Sequence, residues 1–588
     1  MNYHVCCMVL TILGCTTSWA QATGVPALDQ LPHISSKLYF AGEQQEKSLR
    51  DETHAHTEIT IARLRHSTIS SLPAALRDAD HCLIALQRHA GYLKLRALED
   101  VSNQSIQSGR DAVEMDVSAL TAAIATRLNM VHSTELRALG QYQLLATTVR
   151  STSPDHRLSP DATRYREEVV SVILGKLAAR YKQLAAAPKT AEVTQTGTDG
   201  LLSTQQDRTP ALVQEAPEIA TLLGTIVAIK NSDAIAQGFE NAALRQYQSL
   251  GIGPGNIANV LSAVQTHAPL YKRYRDSLVD LHESFNPDGS TTHFVVPFSA
   301  SKTMILEGLA PLGNEYLARM SALLDPRNGR LDLSGGPHRA ETGTSIAVYD
   351  APTALFLGNY KGGLADISAL THEGGHAVHR ELMNAKGIPL YEREGPHYLF
   401  EAIAILNELL VLDHAAETAA SPEERRAALR QLTTKIAFEV FASAEETSFE
   451  RSLYIGAHEE VLLDQNAIDS LYRKAVSPFE TNDVYRLAVS SEWMRKKLLF
   501  EDPLYLVNYL YASIVACSLY EQAHSDPNFP EKYIHLLQGG FNASPDILMT
   551  SVGVDINDAA LVDKACRLLE RKLDELSRVD GMLSTQTR

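Results

Sequence analysis

The chain has 588 residues, 45% hydrophobic and 21% charged, the mix of a folded protein, which excludes intrinsic disorder as the overall class. Its 53 Lys and Arg against 70 Asp and Glu leave a net charge of −17. No basic cluster is present to serve non-specific nucleic-acid binding.

At the N-terminus, MNYH leads into an apolar run too short to span a membrane. Ser18 and Ala20 have the small-residue spacing of a signal-peptidase site, so residues 1–20 read as a signal peptide. Ile12-Leu13-Gly14-Cys15 also fits a lipoprotein cleavage box. The expectation is an exported protein, periplasmic or secreted, with lipid anchoring through Cys15 as the alternative route. No other stretch reads as a membrane span. The cysteines outside this segment (Cys82, Cys517 and Cys566) are far apart and odd in number, which is no disulfide framework and no thiolate zinc site.

Residues 21–184 read as a helical N-terminal region, with apolar residues recurring at three- and four-residue spacing. Residues 185–214 are rich in Thr, Gln, Gly and Pro without apolar period, and read as a flexible linker or loop. Residues 215–588 read as one further domain, again mostly helical. Strand signals are few: HFVVPF (293–298), TSIAVYD (344–350) and ALFLGNY (354–360). The expected class is therefore mainly α with a small β-sheet. The C-terminal LVDKACRLLERKLDELSRV is an amphipathic closing helix.

The segment ALTHEGGHAVHRELM holds His372-Glu373-Gly374-Gly375-His376, the His-Glu-x-x-His pattern. On a helix, residues i and i+4 share a face, so His372 and His376 can reach one metal ion. Imidazole nitrogens suit Zn²⁺, and Glu373 is placed to act as general base on a water at the metal. Two glycines cost about 1 kcal/mol each inside a helix, and they predict close passage of a strand or a substrate backbone. A catalytic zinc site needs a third protein ligand. Glu401 stands 25 residues after His376, among apolar neighbours, on a second helix that returns after a turn at Lys386-Gly387-Ile388-Pro389. Glu408, seven residues on, is placed to orient a ligand histidine. Further along, Tyr505 and Tyr509 stand at i and i+4 and are candidates to stabilise a tetrahedral oxyanion. Tyr511 is a third candidate by motif alone.

The pattern His372-Glu373-x-Gly375-His376-x-x-His379, with Glu401 and Glu408 downstream, resembles the oligoendopeptidase F and thimet oligopeptidase family of zinc metallopeptidases. The flanking segments from about residue 220 onward resemble it too. The resemblance implies a two-lobed helical body with a deep channel for short peptides, and the small sheet beside the zinc helix. It implies that ALFLGNY offers its edge to the substrate. It further implies one Zn²⁺ held by His372, His376 and Glu401, with Glu373 as base and His379 as a supporting residue. The activity implied is zinc-dependent endopeptidase action on short oligopeptides. The alternatives are a dipeptidyl carboxypeptidase of similar fold and a zinc- and peptide-binding scaffold with impaired catalysis. Two positions depart from the family pattern. Gly374 stands where the family carries a bulky apolar residue. The histidine expected just before the tyrosine run is missing, with Glu501, Asp502 and Pro503 there instead.

Overall fold

A computed structural model describes residues 31–150, 160–185, 215–279, 295–348, 351–456, 463–479 and 492–586. The signal segment 1–20 and residues 186–214 of the expected linker lie outside these ranges. The protein is mainly α, with one small three-stranded sheet.

Three long helices open the described chain: α1 (Glu43–His66), α2 (Leu72–Glu99) and α3 (Gln104–Asn129). Pro73 stands in the first turn of α2, where a missing N–H costs nothing. The Asn103 side chain caps α3 by accepting from Ser105 and Ile106. These helices pack on one another around a first core, which includes Leu72, Leu76, Leu86, Tyr92 and Leu120. A second, larger core gathers the later helices. The helix Pro160–Ala185 packs its C-terminal end there. Tyr181 stacks on Phe500 at 3.9 Å, and its hydroxyl donates to the Met494 carbonyl at 2.9 Å.

The sheet stands between the two cores. Its strands are β1 (Leu331–Asp332), β2 (Gly343–Ile346) and β3 (Ala354–Leu357), in the order β1-β3-β2. β1 runs parallel to β3, and β2 antiparallel. Successive residues of a strand face opposite sides. Accordingly Ala354 and Phe356 join the first core, and Leu355 and Leu357 join the second. α2 presses on the sheet region at Gly91, where a Cβ would meet Val348 Cγ2 at 2.5 Å. Strand β3 is thus central rather than an edge, contrary to the expectation for ALFLGNY, because Leu331–Asp332 takes its other side. Edge strand β2 reaches the motif helix through Ser345, whose amide donates to Glu373. Of HFVVPF, only residues 295–298 are described, and they form no named strand. Val295 makes a single bridge to Gly363, and a helix starts at Phe298 with Pro297 as its N-cap.

Four helices build the site: α4 (Leu364–Lys386), α5 (His397–Glu417), α6 (Pro422–Ala437) and α7 (Val507–Ser525). Asp366 starts α4 by accepting from the Lys361 and Gly363 amides at 2.7 and 3.2 Å. Gly387 ends it in the left-handed conformation, φ 65°. The turn expected at residues 386–389 is therefore in place. α5 is buried nearly all round, between α4, α6 and α7. The helix Ala216–Ala236 is also long and apolar enough, by composition, to cross a bilayer, which sequence reading passed over. Here Ile219, Leu223, Ile226 and Val227 lie in the second core.

Candidate metal centre and active site

One turn of α4 separates His372 from His376, and their rings meet nearly edge to face with centroids 4.8 Å apart. Their Nε2 atoms stand 3.2 Å apart. Glu401 reaches the pair from α5, with Oε2 at 3.3 Å from His372 Nε2 and Oε1 at 3.7 Å from His376 Nε2. One donor atom from each of the three residues lies within 4.8 Å of the other two. Glu401 Oε2 is buried and accepts no hydrogen bond. Three converging donors, two imidazoles and one carboxylate, with a buried oxygen left without a hydrogen bond, fit a zinc ion.

The glycines of the motif let the helices come together. A Cβ on Gly375 would sit 3.0 Å from Ala404 Cα and 2.8 Å from Asn407 Nδ2, both on α5. A Cβ on Gly374 would meet the tip of Met320 at 2.6 Å. A neighbouring helix and a methionine side chain, rather than a strand or a substrate, approach these positions. Met320 also fills the volume that a bulky residue at 374 would take.

Glu408 orients His372, as its position on α5 predicts. Its Oε1 lies 2.7 Å from His372 Nδ1, which leaves Nε2 toward the ligand cluster. Glu408 is itself held by Ser368 Oγ and by Lys435 Nζ of α6, the latter at 2.6 Å. Lys435 also reaches Glu439 at 2.7 Å. A single turn of π-helix, Phe438–Ala442, follows α6 and carries Glu439. Burial pushes the Glu408 carboxyl upward, but Lys435 and His372 overcome it and hold the group at about 2. His372 responds in kind. Burial opposes its charge, yet Glu408 and Glu401 raise it well above the ordinary imidazole value. Glu401 is held well below the carboxylate range, burial being outweighed by His372 and His397. His376 is pushed down to about 4 by burial.

Glu373 is buried beside edge strand β2, and its Oε2 accepts the Ser345 amide at 2.6 Å. His379 lies away from the cluster. It packs against Phe400 and Phe541, with centroids at 5.2 and 5.6 Å, and burial lowers it to about 3. Its Nδ1 has no hydrogen-bond partner. It is a core residue of α4.

The tyrosines divide. Tyr505 precedes α7, which starts at Val507, so Tyr505 and Tyr509 do not share one helix face as expected. Their rings nevertheless touch, centroids 5.4 Å apart. Tyr511 is buried against Tyr398 and turns away from the site. Tyr505 Oη hydrogen-bonds His397 Nε2, which in turn lies 3.1 Å from Glu401 Oε1. His397 is the first residue of α5, and sequence reading missed it. It could have been found, since it stands four residues before Glu401 and shares that face of the helix. His397 thus sets an imidazole beside Tyr505 from a different helix.

A profile of peptidase family M3 matches residues 327–568. Oligoendopeptidase F (chromosomal) of Lactococcus lactis subsp. cremoris is 22% identical over 377 residues, 61% of this chain and 60% of the relative. Oligopeptidase PepF of Bacillus subtilis is 22% identical over 371 residues, 61% of this chain and 55% of the relative. The matched stretch therefore spans less than two thirds of either relative. The fold is also that of a solved oligoendopeptidase-F from Enterococcus faecium. The two share a TM-score of 0.63 at 18% identity, with 91% of this chain and all of the other covered. With this profile, these relatives and His372, His376 and Glu401 on two packed helices, residues 327–568 of the chain are similar to peptidase family M3.

Proposed function

We propose that the protein is a zinc-dependent peptidase that hydrolyses bonds within short oligopeptides. One observation carries the reading: His372, His376 and Glu401 converge with Glu373 beside an edge strand. His372, His376 and Glu401 would hold the ion. A bound zinc supplies Lewis acidity, polarising a carbonyl and acidifying water. Glu373 takes the proton of the attacking water and passes it to the leaving nitrogen. The Ser345 amide holds one oxygen of that carboxylate in place. Glu408 and Lys435 keep His372 oriented. Tyr505 and His397 supply hydrogen-bond donors for the oxyanion, next to the ligand carboxylate. Tyr509 backs the Tyr505 ring. The presence of His397 supports catalysis over a scaffold with impaired chemistry.

The test pairs metal content with turnover of an internally quenched peptide of roughly ten residues, which spans about 34 Å when extended. Zinc near one per chain is expected, with turnover lost in Glu373→Gln while zinc is retained. The loss expected for a missing general base is about 10²- to 10⁴-fold. Full zinc occupancy without cleavage of any peptide in a diverse pool refutes the reading, and absence of zinc refutes the ligand set.

A further inference from the structure

Tyr505 lies between the short helix Leu498–Glu501 and α7, inside neither. Helical hydrogen bonding therefore does not fix the backbone that aims it. The Pro503–Leu504 peptide group, just before it, is instead gripped on both sides. Its carbonyl accepts from Lys230 Nζ at 3.2 Å, and its N–H donates to Glu450 Oε1 at 2.6 Å. Lys230 comes from the helix Ala216–Ala236 and Glu450 from the helix Ser443–Gly456. Two distant helices thus meet on a single peptide plane. One turn before Glu450, Glu446 pairs with Lys496 at 2.7 Å, which docks the same segment further upstream.

A peptide group is planar and turns as a unit. The orientation of this one sets φ of Leu504, which is 69°. Leucine enters the left-handed region at a cost, and such a residue persists only where its surroundings over-determine it. Lys230 and Glu450 do so by their chemistry. An ammonium can only donate, and the carboxyl oxygen facing the plane accepts. Turning the plane over would set the N–H against the ammonium and the carbonyl against that oxygen. Glu450 and Leu504 are both buried, so water does not replace the lost bonds. This strained residue directly precedes Tyr505, whose hydroxyl meets His397 beside Glu401. On the other side, the Tyr505 carbonyl accepts from the amide and from Nδ2 of Asn508, each at 2.9 Å.

We propose that Glu450 and Lys230 are positioning residues, which hold the Pro503–Leu504 peptide group in the orientation that carries the Tyr505 hydroxyl to His397 and the ligand cluster. The proposal rests on the peptidase reading, in which Tyr505 serves the oxyanion. Both residues act through the backbone. Burial raises the Glu450 carboxyl to about 8, so at neutral pH the accepting oxygen belongs to a mostly neutral acid. Glutamine reproduces that shape and that acceptor, whereas methionine keeps the length and removes the acceptor. The two variants lose the acid alike and differ in the bond to Leu504.

The test uses the zinc-loaded full chain and the quenched peptide at pH 7. Glu450→Met is expected to lower kcat about 10- to 100-fold, the weight of a misplaced group near the reacting centre, with KM and zinc content kept. Glu450→Gln recovers most of that loss. In a Tyr505→Phe background Glu450→Met has little left to remove, and its further effect stays within about threefold. Lys230→Met strips the carbonyl side, moves kcat the same way, and decides the matter should Glu450→Met not fold. Hydrogen exchange read by mass spectrometry follows the Leu504 amide without turnover: fragments covering residues 502–507 exchange at least about tenfold faster in Glu450→Met, and those from α4 do not. Full kcat in Glu450→Met or in Lys230→Met overturns the proposal. So does equal loss in Glu450→Met and Glu450→Gln, or full additivity with Tyr505→Phe. If wild type cleaves no peptide, the peptidase reading fails instead, and the exchange result alone decides on the clamp: unchanged exchange at residues 502–507 overturns it.

Discussion

Gly375 offers a sharp test of how the ligand set is held, because its neighbour Gly374 is a built-in control. Replacing Gly375 by Ala puts a Cβ 3.0 Å from Ala404 Cα, whereas carbon atoms settle at about 3.5–4.0 Å. The other neighbour, Asn407, cannot swing aside. Its Nδ2 donates to Tyr316 Oη at 2.7 Å and to the Thr371 carbonyl at 3.3 Å. Helices α4 and α5 must therefore part by about 0.5–1 Å, and overpacking of this kind costs about 1–3 kcal/mol. The higher helix propensity of Ala returns about 1 kcal/mol. Stability thus drops modestly, but the geometry suffers more. His372 and His376 stand on α4 and Glu401 stands on α5, so the parting opens the ligand set directly. Metal–ligand distances tolerate only about 0.2 Å. Gly375→Ala is expected to bind zinc more weakly and to melt lower. In Gly374→Ala the obstacle is only the flexible end of Met320, so the propensity gain dominates and zinc affinity is kept. Zinc competition against a chelating dye, with thermal melts of both variants, reads the difference. Equal zinc affinity in the two variants, or a larger loss in Gly374→Ala, refutes this account of the glycines.

Three further expectations follow from the buried polar groups. Lys435→Met strips the cation from Glu408 and Glu439; breaking such a pair costs about 3–5 kcal/mol, and loss of the support behind His372 lowers zinc affinity about 10- to 100-fold. Unchanged zinc binding in that variant would show that Glu408 needs no support. Tyr505→Phe is expected to lower kcat about 10²- to 10³-fold with zinc content unaltered, and an effect confined to KM would remove Tyr505 from the oxyanion role. Glu450 lies in the wall behind Tyr505, where its Oε1 accepts the amide of Leu504, a residue held at φ 69°. Burial, with help from Glu446 and Asp502 against Lys230, raises its carboxyl to about 8. The folded state then binds a proton more tightly than the unfolded chain. Its contribution is complete below about pH 4.5 and is lost as pH rises toward 8. Melting temperature should therefore fall from pH 5 to pH 8.5 in wild type and fall less in Glu450→Gln, and parallel curves for the two would contradict the assignment.

What the sequence discloses here follows from the range of each interaction. The motif helix was legible because its signals are local: a His pair at i and i+4, and the turn at Gly387 that ends it. Glu401 was legible because a carboxylate among Leu399, Phe400, Ala402 and Ile403 has few reasons to be there. The sheet was half legible. β2 and β3 carry four residues each, but β1 has only two, too few for any period to register. Without β1, the central strand looks like an edge. HFVVPF misled because a short apolar run with a proline suits a strand end and a helix start equally well. The glycines showed that something comes close without showing what, since the partners Ala404 and Met320 come from distant elements. His397 makes the same point for chemistry. Its bond to Tyr505 spans 108 residues, whereas the family pattern places a histidine beside the tyrosines in sequence. A donor near a metal site has only to occupy a position in space. Here α5 reaches that position from its first residue, because the same helix must already bring Glu401 to the two histidines.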